Sequence, residues 1–67
     1  RDLVIRIADW SRQSQDNGEP AFDVECYIGG VYDWNESKTF TLASGLTKTQ
    51  AKQQAIAFAQ QQIARLL

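Results

Sequence analysis

The chain has no histidine and no methionine, and only one cysteine and one proline in 67 residues. Each scarcity excludes something. Without histidine there is no Ser-His or Cys-His nucleophile pair, no common general base and little basis for a zinc site. A lone Cys26 rules out an internal disulfide and fits a reducing compartment, so a cytoplasmic location is expected. The sequence therefore reads as a non-enzyme, with no metal or other cofactor expected. No apolar run approaches the roughly 20 residues that span a bilayer, so no membrane partner is expected. No signal peptide is visible, and the chain opens at Arg1 without a methionine, as a piece of a longer protein would.

Acid is missing from one half. Residues 1–36 carry Arg1, Arg6 and Arg12 against all eight acidic residues, while residues 37–67 carry Lys38, Lys48, Lys52 and Arg65 with none. The overall net charge of −1 hides this split. Either the two halves attract one another, or the acid-free half offers a local anion-binding surface. Hydrophobic residues make up 43% and charged residues 22%, which fits a globular chain and not a disordered one. At this length residues 1–67 form one small α+β domain, with a single core and roughly 60% of its unfolded surface buried.

Periodicity gives the elements. "DLVIRIADWSRQ" alternates in period 2, with Leu3, Ile5 and Ile7 on one face and Val4, Arg6, Ala8, Trp10 and Arg12 on the other. "AFDVECYIGG" alternates again, setting Phe22, Val24, Cys26 and Ile28 against Asp23, Glu25 and Tyr27. Between them lies "QDNGEP", where Asn17-Gly18 signals a tight hairpin. A two-residue turn there sets Ile7 opposite Ile28, Arg12 opposite Asp23 and Trp10 opposite Glu25. A looser loop of the same parity keeps the same faces. Gly29-Gly30 marks a second turn or a bulge before "VYDWNES", and "KTFTLA" reads as a third strand with Phe40 and Leu42 inward.

Thr47 is a natural N-cap, and Gln50 completes a Thr-x-x-Gln capping box. Ala51, Ala55, Phe58, Ala59, Ile63 and Leu66 then recur at helical spacing, and the glutamines suggest a solvated face. The predicted fold is β-β-β-α: a three-stranded antiparallel sheet packed against one C-terminal helix.

The stretches "FDVECYIGG" and "SGLTKTQAKQQAIAFA" resemble the second strand and last helix of double-stranded-RNA-binding domains, over about residues 22–60. In that family, lysines at the start of this helix grip phosphates across the major groove. By that resemblance Thr47, Lys48, Thr49 and Lys52 fall on the nucleic-acid-binding positions, with Ala51 between them. Thr49 stands where the family has its second lysine. The family's first helix has no counterpart before the first strand, and "SQDNGEP" is acidic where the family contacts a minor groove. At fold level the pattern is also similar to the β-β-β-α DNA-binding domains at the N-termini of tyrosine integrases, which need no first helix.

Two surfaces are therefore candidates. At the helix start, Lys48 and Lys52 lie where the helix dipole disfavours cations, a cost that a bound phosphate would remove. On the exposed sheet face, Arg6, Trp10, Arg12 and Tyr27 mix basic and aromatic character, although Asp23 and Glu25 on the next strand are placed to neutralise the arginines. Tyr32 and Trp34 add exposed aromatics that suit a protein partner. The expected function is a small non-enzymatic binding module, for duplex RNA or DNA through the helix start. The alternative is a protein-interaction or homodimerisation module built on the aromatic sheet face.

Overall fold

A computed structural model describes residues 2–12, 18–42 and 45–67. The elements run β1 (Leu3–Trp10), β2 (Ala21–Ile28), β3 (Val31–Tyr32), a 3-10 turn (Trp34–Glu36), β4 (Lys38–Thr41) and α1 (Lys48–Leu66). All strands are antiparallel. β1 pairs with one edge of β2 along its whole length, and β3 and β4 share the other edge. α1 lies across one face and contacts β1, β2 and β4. The fold is α+β in the predicted order: the expected third strand is β4, and Val31–Tyr32 adds a two-residue strand in the stretch expected as a loop.

The predicted faces of the first hairpin hold, but its register differs. Leu3 sits opposite Ile28, Ile5 opposite Cys26 and Ile7 opposite Val24. Ile7 is thus four residues from its expected partner. The observed register lays Leu3 and Ile5 on apolar partners before the chain turns away at Gly29-Gly30. The expected one would have left them beyond the end of β2. It would also have drawn Pro20, which has no N–H to give, towards the ladder. Residues 11–20 connect the strands; Asn17 of the expected turn lies outside the described residues.

Gly29 and Gly30 have φ of 61° and 80°, the paired left-handed conformations of a two-residue I′ turn. β3 pairs with β2 for only two residues before the chain leaves the ladder. Asp33 Oδ1 accepts from the Asn35 N–H at 3.0 Å and starts the 3-10 turn. The detour remains tied to Cys26. The Asp33 N–H donates to the Cys26 carbonyl at 2.8 Å, and the Cys26 N–H donates to Ser37 Oγ at 2.9 Å. Ser37 in turn donates to the Asp33 carbonyl at 2.7 Å. β4 then resumes, with Phe40 opposite Phe22. Of the expected third strand, Ala43 lies outside the described residues.

Phe22, Val24 and Cys26 are the largest fully buried side chains, and all three come from one face of β2. Against them lie Ala51 and Ala55, both with no exposed surface, and the buried Ala59, with Ile5, Phe40, Leu42, Leu46 and Phe58 around the rim. The alanines let the helix backbone approach the sheet closely. Phe58 meets Phe40 edge-on at 5.8 Å between ring centroids. The Lys38 ammonium lies 5.2 Å from the Phe40 centroid, which places Lys38 on the helix side of the sheet.

One helical position departs from expectation. Gln62 is buried and Ile63 is 43% exposed. The buried stripe steps from 51 to 55, 59 and 62, which rotates residue 63 onto the flank. The opposite flank carries Phe58 over β4, so Ile56 and Ile63 lie on the β1 side.

Ala55→Leu should overpack the helix–sheet contact and lower stability by about 1–3 kcal/mol. The same change at exposed Ala57 should leave the urea midpoint nearly unchanged. Burial, with the nearby Asp33 and Glu36 carboxylates, pushes the Cys26 thiol above its ordinary value. Native protein should therefore react with a thiol reagent far more slowly than urea-unfolded protein; equal rates would contradict the buried position.

Candidate functional site

The sheet separates the two predicted surfaces. Thr47, Lys48, Thr49 and Lys52 sit at the start of α1 on the helix side, and all four are exposed. The capping box is complete: Thr47 Oγ1 accepts from the Gln50 N–H at 3.1 Å, and Gln50 Oε1 accepts from the Thr47 N–H at 2.9 Å. The first intrahelical bond runs from the Ala51 N–H to the Thr47 carbonyl at 3.0 Å. Two orphan donors at the helix start, the Thr47 and Gln50 N–H groups, are thus satisfied by the capping box, and the first turn contains no acidic residue.

The missing acid comes from another strand. Asp9 lies opposite Phe22 and so belongs to the helix side of the sheet. Its carboxyl is held below the usual carboxylate range by Ser11, whose N–H donates to Oδ1 at 2.9 Å, with further help from the charges of Lys48 and Arg12. Asp9 thus adds negative potential near the start of α1 without forming an ion pair there.

On the open face of the sheet the side chains form rows. Val4, Tyr27 and Tyr32 form one, Arg6 and Glu25 the next, then Ala8, Asp23 and Thr39, and last Trp10, Ala21 and Thr41. The expected Arg12–Asp23 and Trp10–Glu25 juxtapositions are absent because of the register. Asp23 instead accepts from Thr39 Oγ1 at 2.7 Å. Arg6 Nε lies 3.2 Å from Glu25 Oε1, and the Tyr27 hydroxyl donates to that same oxygen at 3.2 Å. Arg6 is thus already held by a carboxylate. Arg12 lies in the turn beyond β1, exposed and outside these rows.

The last two rows enclose an open cleft of about 480 Å³ lined by Trp10, Glu19, Ala21, Asp23, Thr39 and Thr41. Buried Ala21 makes a low floor and Trp10, 46% exposed, makes a wall. The lining holds two carboxylates and no cation. Beyond it, Tyr27 and Tyr32 lie 5.6 Å apart at 59°, and Trp34 is 73% exposed. Trp10 was readable from sequence as a surface aromatic. The cleft was not, because Ala21 and Thr41 reach it only in the observed register. The alternation of Thr39 and Thr41 around inward Phe40 was its one visible trace.

A third polar cluster ties the end of α1 to the 3-10 turn. Gln62 Nε2 donates to the Glu36 carbonyl at 2.7 Å and lies 3.2 Å from Glu36 Oε1. Arg65 pairs with the same carboxylate oxygen and donates to Gln62 Oε1 at 2.8 Å. This satisfies the buried amide of Gln62 and serves packing.

Among the described residues no group of three or more His, Cys, Asp or Glu is placed to hold a metal ion, and no helix is long and apolar enough to cross a membrane. Comparison with family models, curated proteins and solved structures finds no match for this chain.

Arg65 first, then Gln62, hold the Glu36 carboxyl below the usual glutamate range. A depressed folded pKa contributes stability above the unfolded value, and that contribution is lost as pH falls through the folded value. The urea midpoint should therefore drop between about pH 5 and pH 3. Glu36→Gln should be less stable at neutral pH and show a smaller acid loss, the remainder coming from Asp9.

Proposed function

We propose that this chain is a non-catalytic recognition module whose open sheet face binds a protein partner, seating a cationic side chain of that partner in the Trp10 cleft. The cleft itself carries this reading: an exposed indole beside Asp23 and Glu19, over an alanine floor, with threonine hydroxyls opposite. An ammonium or guanidinium gains from the indole face and from the carboxylates together. A phosphate would meet repulsion there, and Arg6, the nearest cation of these rows, is engaged by Glu25. Tyr32 and Trp34 extend the same face with the aromatic area that protein interfaces favour.

Nucleic-acid binding through Thr47, Lys48, Thr49 and Lys52 is the second reading. It is favoured by two exposed lysines four residues apart on an acid-free first turn, and it agrees with the resemblance to double-stranded-RNA-binding domains. Few phosphates would be reached, so binding would be weak, with a salt slope of roughly −0.9 per phosphate on a DNA duplex.

A single set of titrations of isotope-labelled protein separates the readings. A short lysine- and arginine-containing peptide should shift the Trp10 indole N–H together with the Asp23 and Thr39 amides. Trp10→Ala should weaken that binding by roughly three- to thirty-fold, the worth of one cation–aromatic contact. Asp23→Asn should weaken it as well. If the peptide leaves these signals unmoved, while duplex RNA or DNA shifts Lys48 and Lys52 at low salt and a Lys48→Glu, Lys52→Glu variant abolishes the effect, the second reading replaces the first.

A further inference from the structure

The two outer edges of the sheet are built differently. The edge formed by β3 and β4 is broken into strands of two and four residues by the Trp34–Glu36 turn. It also carries a lysine, Lys38, on its inner side. Short strands, interruptions and inward-facing lysines are devices that stop edges from pairing. β1 is neither short nor interrupted, and its one inward charge, Asp9, lies next to its end. It runs eight residues without glycine, proline or lysine, and its ladder with β2 is unbroken from Leu3 to Trp10.

The outward groups of β1 can be assigned. The Asp2 carbonyl accepts from the Gly29 N–H at 2.8 Å, so the even-numbered residues of β1 bond to β2. Leu3, Ile5, Ile7 and Asp9 therefore direct their N–H and C=O groups away from the sheet. The inner face of the strand is also incompletely covered. Ile7 is 39% exposed, and Leu3 and Ile5 are half-buried, because α1 centres on β2. Ile56 and Ile63, both exposed, line the helix flank above them.

We infer that β1 is a self-association edge: a second copy of this chain pairs its β1 antiparallel to the first, about a two-fold axis at Ile5, and continues the sheet. Length and charge together select that axis: an axis at Val4 pairs only residues 2–6 and leaves Ile7 out of the apolar row. Pairing must keep inner faces together, so the opposed residue numbers sum to an even value. An axis at Arg6 sets two arginines head-on. An axis at Ile7 puts the Asp9 carboxylate opposite Ile5 in the apolar row. The Ile5 axis sets Ile5 against Ile5 and Leu3 against Ile7, with no charge among them. On the outer face it sets Arg6 opposite Val4, with the partner's Asp2 on one diagonal and the partner's Arg6 on the other, each arginine already held by its own Glu25. The isoleucine flanks of the two helices then face each other across Leu3, Ile5 and Ile7.

The strip is modest. Seven paired residues at about 3.3 Å each make a strip roughly 23 Å long but only one strand edge and one helix flank wide, which places it with the small, transient interfaces. Dissociation constants of about 10–1000 μM are expected.

Sedimentation equilibrium from about 10 μM to about 1 mM tests the proposal, with dilution shifts read by NMR. The parent should pass from monomer to dimer, with shifts confined to β1, Ile56 and Ile63. Ile7→Lys and Ile63→Lys, each at an exposed position, should stay monomeric with unchanged circular dichroism. Trp10→Ala, beyond the paired stretch, should dimerise like the parent although it weakens the open-face cleft. A parent that is monomeric at 1 mM, a dimer untouched by both lysine variants, or shifts centred on Trp34 and the open face would overturn the inference. Loss of dimer in Trp10→Ala alone would overturn the Ile5 axis.

Discussion

Burial of one face of one strand organises this molecule. Phe22, Val24 and Cys26 alternate along β2, and among the described residues nothing else of comparable size is fully buried. A strand that is central and covered must have every backbone group paired, because an unsatisfied N–H or C=O there costs about 1–3 kcal/mol. β1 meets that requirement on one side with eight consecutive pairs. On the other side the chain meets it in pieces, and the pieces determine where the surface features lie. The 3-10 detour removes three residues from the ladder, yet Asp33 and Ser37 return to bond Cys26. That detour lifts Trp34 away from the sheet and brings Glu36 under the end of the helix.

The electrostatic division of the sequence has the same origin. All eight acidic residues precede residue 37 while α1 carries only basic charge, and folding sets the two together at the ends of the helix. Glu36 pairs with Arg65 near the end of α1, while Asp9 and Lys48 act on one another only through their field at its start. The exposed ion pair is small in energy, but it uses up part of what looks in the sequence like free positive charge. The open face keeps the opposite character, since Arg6 is neutralised while Asp23 and Glu19 line the cleft. This contrast weighs the proposed function toward a cationic partner on the sheet.

The architecture was readable because its signals are local. Alternation gave the faces of β1 and β2, and Thr47 with Gln50 marked the helix start to the residue. The register was not readable: a slip of four preserves parity, and the competing signals lay in Pro20 and Gly29-Gly30, far from Asn17-Gly18. Gln62 escaped for a related reason. Glutamine in an exposed-looking repeat reads as solvated, and its partner, Glu36, is distant in sequence and reaches it only through the detour. For the candidate sites, the exposed lysines were visible as residues, whereas the cleft exists only through cross-strand neighbours. The proposed sites thus differ in how they arise, one from a local motif and one from register.

The alanine stripe has a further consequence. Ala51, Ala55 and Ala59 repeat every four residues, close to one helical turn, so sliding α1 along its axis by about 6 Å, with a twist of about 40°, would set one alanine in the place of the next. To the core such a slip is nearly invisible: the packing is smooth, and hydrophobic contact alone leaves the axial position degenerate. What distinguishes one position from the next is the set of features that do not repeat. Phe58 must meet Phe40, and the Gln62 amide must meet the Glu36 carbonyl. Displaced by a turn, Gln62 would be buried with its donors empty. A single polar side chain in the covered stripe thus acts as an indexing notch, giving up some apolar contact to fix where the helix stops.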